Sequence, residues 1–236
     1  MKLFRKVRQK LFKEGNIKRY PIYAIGEILL IMIGISLAFQ LDTWNENRIK
    51  KGAEIRYYEN IRAQIGDDSA VIQHLNDDFN TTYMTQFKYA IALIEVNDRS
   101  KLDTLAVIVQ NMTQYSDFDR QGNIYETLVN SGEIKLLRNH DIVNGIRKLE
   151  EKYIYINRME HIHYEAVMFH VVQTINPIIK FTTGEIMQPE LVFKYEFQNL
   201  LSQLIQLMIE KDKVYSEALY QIDAITKFID QELDDN

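Results

Sequence analysis

Cysteine is absent from the 236 residues, which excludes disulfides, thiolate metal sites and thiol nucleophiles together. Proline (three) and glycine (nine) are few, and after Trp44 no strong breaker appears until Asp98-Arg99-Ser100, leaving some fifty residues rich in helix formers. The motifs of common chemistries are missing as well: no Gly-rich phosphate loop, no His-Glu-x-x-His and no Gly-x-Ser-x-Gly. No convincing hairpin signal is present. Paired acids such as Asp67-Asp68 and Asp77-Asp78 lack the fixed glycine and distal glutamate of a calcium loop and read as solvated faces. After the first apolar run, the most apolar stretch is Leu200–Ile209, only ten residues long and interrupted by Ser202, Gln203 and Gln206, too short and too polar for a second span.

What is present divides the chain into three parts: a basic tail at residues 1–19, an apolar segment at 20–43 and a polar remainder at 44–236. The tail holds Lys2, Arg5, Lys6, Arg8, Lys10, Lys13, Lys18 and Arg19 against the single acid Glu14, so the rest must carry a net charge of −12 to reach the formal −5. An acidic body argues against nucleic acid as a partner. The basic groups suit anionic lipid headgroups instead, and Phe4, Val7, Leu11 and Phe12 recur at the spacing of a helix lying in the membrane interface.

From Ile22 to Leu41 the chain reads IYAIGEILLIMIGISLAFQL, with Glu27 as its one ionisable group. Twenty helical residues cover about 30 Å, the thickness of a bilayer core. Tyr20 and Tyr23 fall at one interface and Trp44 at the other, where amphipathic rings anchor a span. The competing reading is a cleaved secretory signal, with Ser36-Leu37-Ala38 as its small-x-small site; the long basic region, Glu27 and the apolar residues beyond the cut speak against it. Five basic residues lie in 7–21 and four in 42–56. Together with the rest of the tail, this bias predicts a cytoplasmic N-terminus and an extracytoplasmic domain in the inner membrane. At 100° per residue Glu27, Gly34 and Ala38 fall within about 40° of one another, so one face of the span combines a polar and two small residues, as helix-packing faces do.

Beyond the span, Tyr58, Ile61, Ile65, Ile72, Leu75 and Phe79 recur at steps of three and four, with Asp68 and Thr82 as polar interruptions, which predicts one face of a bundle helix. Ser100 and Asp103 read as the start of a helix to about Met112. A further helix is expected over 123–131, closed by Gly132. Asp141 is expected to cap a long run through Ile142, Ile146, Leu149, Tyr153, Ile156 and Met159 to about Ile175, before Asn176-Pro177. Gly184 and Pro189 delimit a loop, and residues 190–233 are again helical. The fold class is therefore all-α: one N-terminal transmembrane helix followed by a soluble helical bundle. Its many aromatics at helical spacing read as core.

The metal candidate is Glu160-x-x-His163 with His170, on a predicted helix. Di-iron bundles use two such motifs and two further glutamates, whereas one motif occurs here. A histidine cluster that is satisfied within the fold or exposed is the expected outcome, with no cofactor.

The run Lys18-Arg-Tyr-Pro-Ile-Tyr-Ala-Ile-Gly-Glu27, the apolar stretch through Gly34-Ile35 and then Leu41-Asp-Thr-Trp-Asn-Glu-Asn-Arg48 resemble a family of uncharacterised single-span membrane proteins from Bacteroidota. A second block, Tyr125-Glu-Thr-Leu-Val-Asn-Ser-Gly-Glu-Ile-Lys-Leu-Leu-Arg138, resembles it too. The resemblance implies a helical cell-envelope protein and supplies no catalytic residue. The function expected from these readings is that of a non-enzymatic scaffold, adaptor or partner-binding module, interacting with membrane lipid, envelope proteins or copies of itself. A metal- or ligand-binding bundle and a membrane-surface regulator acting through the tail are the alternatives.

Overall fold

The computed structural model describes residues 20–119 and 124–234. The expected interfacial helix of the tail, with Lys2, Arg5, Lys6, Arg8, Lys10, Lys13, Lys18 and Arg19, lies outside the described residues, as do the side chains of Tyr20 and Tyr23. The chain divides into two units, residues 1–53 and 54–236.

Helix α1 runs Tyr20–His74, with Pro21 in its first turn, where a missing N–H costs nothing. Its most apolar 18-residue window has a mean hydropathy of 2.1, and none of that window is buried. Among the described residues this is the one helix long and apolar enough to cross a membrane. Gly34 and Ala38 are exposed and Glu27 is half-buried. Trp44 is exposed, with the Arg48 guanidinium 5.4 Å from its ring centroid.

In the second unit α1 passes through a π-helical turn, Leu75–Asn80, into α2, Thr81–Glu95. Helix α3 spans Leu102–Asn111 and α4 Ile124–Asn130. Helix α5, His140–Ala166, passes through a second π turn, Val167–Val171, into α6, Val172–Ile175. A short antiparallel pair follows, β1 Ile179–Lys180 and β2 Glu185–Ile186. The short α7, Pro189–Val192, leads to α8, Tyr195–Asp234. The hairpin corrects the expectation of none: two residues per strand are too short for alternation to show, and Gly184 at φ 73° makes the turn. Two caps are corrected as well. Asp98, rather than Ser100, accepts from the Ser100 N–H at 3.1 Å. Asn139, rather than Asp141, accepts from the N–H groups of Asp141 and Ile142 at 2.9 and 3.2 Å.

Two apolar clusters fill the bundle. The first is built around Ile61, Ile65, Ile72, Ile146, Ile156, Val214, Ile222 and Ile225. The second is built around Phe87, Leu105, Val109, Val171, Phe197, Leu201 and Met208. Asp68, expected as an interruption, is buried in the first cluster and accepts from the Tyr153 hydroxyl at 2.9 Å. At the end of the block Tyr125–Arg138, the Arg138 N–H donates to Glu54 of α1 at 2.6 Å, and Tyr58 donates to the same carboxylate at 2.9 Å.

Helices α5 and α8 approach closely at Gly145, where an added Cβ would meet Ile225 Cγ1 at 2.7 Å and Gln221 Nε2 at 3.3 Å. The Gln221 amide can swing aside, but Ile225 is fully buried in the core and must move or re-rotamerise. Gly145→Ala should therefore cost about 1–3 kcal/mol and lower the melting temperature by several degrees; an unchanged transition would show slack between these helices.

Candidate functional site

The buried faces of the long helices repeat at alternating steps of three and four. On α8 the series is Leu201, Leu204, Met208, Lys211, Tyr215, Ala218, Ile222, Ile225 and Ile229, all buried, so Lys211 occupies a core position. On α5 the same alternation places Glu160 and His163 in the core after Ile156. On α1 the alternation gives way after Ile72 to two steps of four, to Asn76 and Asn80, both buried in the π turn. The expected stripe ran through Leu75, Phe79 and Thr82. The extra residue of the π turn rotates the face by one position, so Leu75 and Phe79 are half-buried and Thr82 is exposed. Polar side chains thus meet along the chain between residues that belong to the two apolar clusters.

Glu160 is the hub. Its Oε1 accepts from the Tyr215 hydroxyl at 2.6 Å and from Ser116 Oγ at 3.0 Å, and its Oε2 accepts from the Phe118 backbone N–H at 2.6 Å. Lys211 Nζ donates to Ser116 Oγ and lies 3.3 Å from His163 Nδ1. Its ammonium also stands 5.7 Å from the Phe79 ring centroid and 5.8 Å from that of Tyr215, a distance at which ring faces attract cations. Glu160, His163, Lys211, Ser116 and Tyr215 are all buried.

Burial pushes the Lys211 ammonium down to about 8, with the negative charge of Glu160 pulling in the opposite direction. Burial, and then the Lys211 charge, push His163 down to about 3. The Tyr215 phenol is pushed up, by burial and by Glu160. At neutral pH His163 is therefore neutral. Since its Nδ1 faces a donor, the proton belongs on Nε2, which is buried without a hydrogen-bond partner among the described residues, as are Asn76 Oδ1 and Asn80 Oδ1.

Outside Glu160, a surface pocket of about 230 Å³ is lined by Tyr115, Ser116, Asp117, Asn157, His161 and Tyr164. The rings of Tyr115 and Tyr164 meet edge to face at 5.1 Å. Phe118 turns inward from the same loop and packs 5.2 Å from Tyr153, which fixes the loop against the bundle.

Of the metal candidates, Glu160 and His163 meet in this layer, while His170, in the second π turn, is exposed. Among the described residues there is no group of three or more His, Cys, Asp or Glu placed to hold a metal ion. Lys211, Ser116 and Tyr215 escaped the sequence reading. A lysine in register with a leucine stripe was the signal for the first; Ser116 and Tyr215 carried none.

The architecture is that of an all-helical protein with one long apolar N-terminal helix followed by a bundle. The chain belongs to a family of unknown function, DUF6090, whose model matches residues 27–208. That range takes in the apolar helix from Glu27 onward, Ser116, Glu160 and His163 and stops short of Lys211. No curated protein and no solved structure matches the chain.

Proposed function

We propose that the protein is a membrane-anchored, non-enzymatic envelope component whose helical bundle binds a partner, with the N-terminus cytoplasmic and residues 44–236 on the outer face of the inner membrane. The observation that carries this reading is the uncovered apolar window of α1. Contiguous apolar surface of that length is costly in water and is covered in lipid. Trp44 with Arg48 beside it supplies an interfacial anchor at the far end. The Bacteroidota setting rests on the resemblance of the block from Tyr23-Ala-Ile-Gly-Glu27 to Trp44-Asn-Glu-Asn-Arg48. Lipid headgroups are the partners of the basic tail. The face of Glu27, Gly34 and Ala38 is the site of self-association, and a Cβ added at Gly34 would meet nothing within 4 Å, which leaves room for a second helix.

The full-length protein should stay with membranes in alkaline carbonate, and protease added outside spheroplasts should digest the bundle. Release by carbonate, or a mature N-terminus after Ala38, would overturn the anchor; protection of the bundle would reverse the orientation. Gly34→Leu with Ala38→Leu should lower association in the membrane, and unchanged association would remove this face from the reading. Crosslinking and pull-down from native membranes would then identify the partner.

A further inference from the structure

The pocket outside Glu160 has a chemistry of its own, independent of whether α1 crosses a membrane. Two of its lining residues, Asp117 and Glu160, are acids, two are tyrosines, and neither lysine nor arginine lines it. Glu160 is held by Tyr215, Ser116 and the Phe118 N–H, so its buried carboxylate is fixed in place. Asp117 is exposed, forms no ion pair or hydrogen bond among the described residues, and sits close enough for its charge to reach the Tyr215 phenol. Tyr115 and Tyr164 meet edge to face beside these acids, and the His161 ring stacks against Tyr164 at 6.5 Å. His161, the remaining basic side chain of the lining, lies 3.4 Å from Glu165. Fixed negative charge beside aromatic faces is the environment that attracts an organic cation, and about 230 Å³ is below the size of pockets that hold drug-sized ligands.

We propose that this pocket binds one organic cation, an alkylammonium or guanidinium group, seated against the Tyr115 and Tyr164 rings with its N–H groups on Asp117 and its charge facing the buried Glu160 carboxylate. The group belongs either to a free small amine or to a lysine or arginine side chain of a binding protein. Both share the same recognition, and the test separates them.

Titration calorimetry on the full-length protein in detergent, with agmatine as the free cation and an acetylated Gly-Arg-Gly amide as the side-chain probe, reads the site directly. Saturable one-to-one binding is expected, weakening as salt is raised. Asp117→Asn and Tyr164→Leu alter exposed residues and leave the buried layer intact. Each should weaken binding about three- to tenfold. Tighter binding of agmatine assigns the site to free amines, and tighter binding of the peptide assigns it to a protein side chain. No saturable binding of either probe overturns the proposal, as does affinity that Asp117→Asn and Tyr164→Leu leave unchanged, or equal affinity for an uncharged isostere such as butylurea.

Discussion

Replacing Glu160 by leucine should destabilise the protein by about 3–5 kcal/mol, the range found when one partner of a buried charge pair is removed. The carboxylate takes three hydrogen bonds, from Tyr215, Ser116 and the Phe118 N–H, and it supplies the negative charge that opposes the desolvation of Lys211. Leucine leaves the Phe118 N–H without its acceptor, leaves Tyr215 and Ser116 only each other at 3.1 Å, and leaves the buried ammonium without a counter-charge. Glu160→Gln keeps the acceptor oxygen and most of the volume, so it should cost less, although Lys211 still loses its counter-charge. The informative variant is the double one. Glu160→Leu with Lys211→Met removes both charges, and replacing a buried pair by apolar groups of similar volume is often neutral or stabilising. The double variant should therefore recover more than half of the single loss in thermal or urea denaturation. Costs that simply add would show that the two side chains act separately, and that Glu160 matters only as the acceptor that holds the loop around Ser116 and Phe118.

Such a layer discriminates between arrangements of the helices rather than adding stability. Lys211 lies in perfect register with leucine, methionine and alanine on α8, so sliding α8 along its neighbours by a heptad would place an ammonium against an apolar cluster. Polar residues at core positions specify register in this way at a cost in stability. Two π turns interrupt the long helices, at Leu75–Asn80 and Val167–Val171. In each, the buried face takes successive steps of four, through Ile72, Asn76 and Asn80 on one and His163, Val167, Val171 and Ile175 on the other. The extra residue of the wider turn brings the face back into line with the core.

How much of this could be read beforehand follows from the range of the forces involved. Apolar periodicity is local, so the helices, the buried stripe from Tyr58 to Ile72 and the break at Asn176-Pro177 were legible. So was the apolar helix, because twenty residues with one charge need no tertiary information. The one-residue slip at Phe79 and Thr82 was not legible from a strict heptad, though three consecutive steps of four, from Asp68 through Ile72 and Asn76 to Asn80, were its trace. Asp68 read as an interruption because the partner that justifies its burial, Tyr153, lies 85 residues away. The site was half legible. Glu160 and His163 stood out as a pair of metal-ligand types, but the cation at His163 is the Lys211 ammonium, contributed from 48 residues further along. No local pattern announces such a meeting.

Acidification should unfold the protein through His163 before general carboxylate protonation does. The folded-state pKa of about 3 lies below the ordinary imidazole value of 6.5, so between these limits the unfolded chain binds a proton that the native protein refuses. Stability then rises with pH across that window and falls on acidification by about 1.4 kcal/mol per pH unit below 6.5. Lys211 does not blur the reading. Its folded value of about 8 and ordinary value of 10.5 place its own window on the alkaline side, where the unfolded chain again holds the extra proton and stability again rises with pH. The control is His163→Asn, whose amide oxygen stands near the position of Nδ1 and keeps an acceptor for the ammonium while removing the titration. Denaturation at pH 7.5 and at pH 5 should show the native protein losing about 2 kcal/mol more than the variant. Parallel losses in the two proteins would mean that the imidazole meets water or an acceptor in solution, and that the buried layer is more open than its geometry indicates.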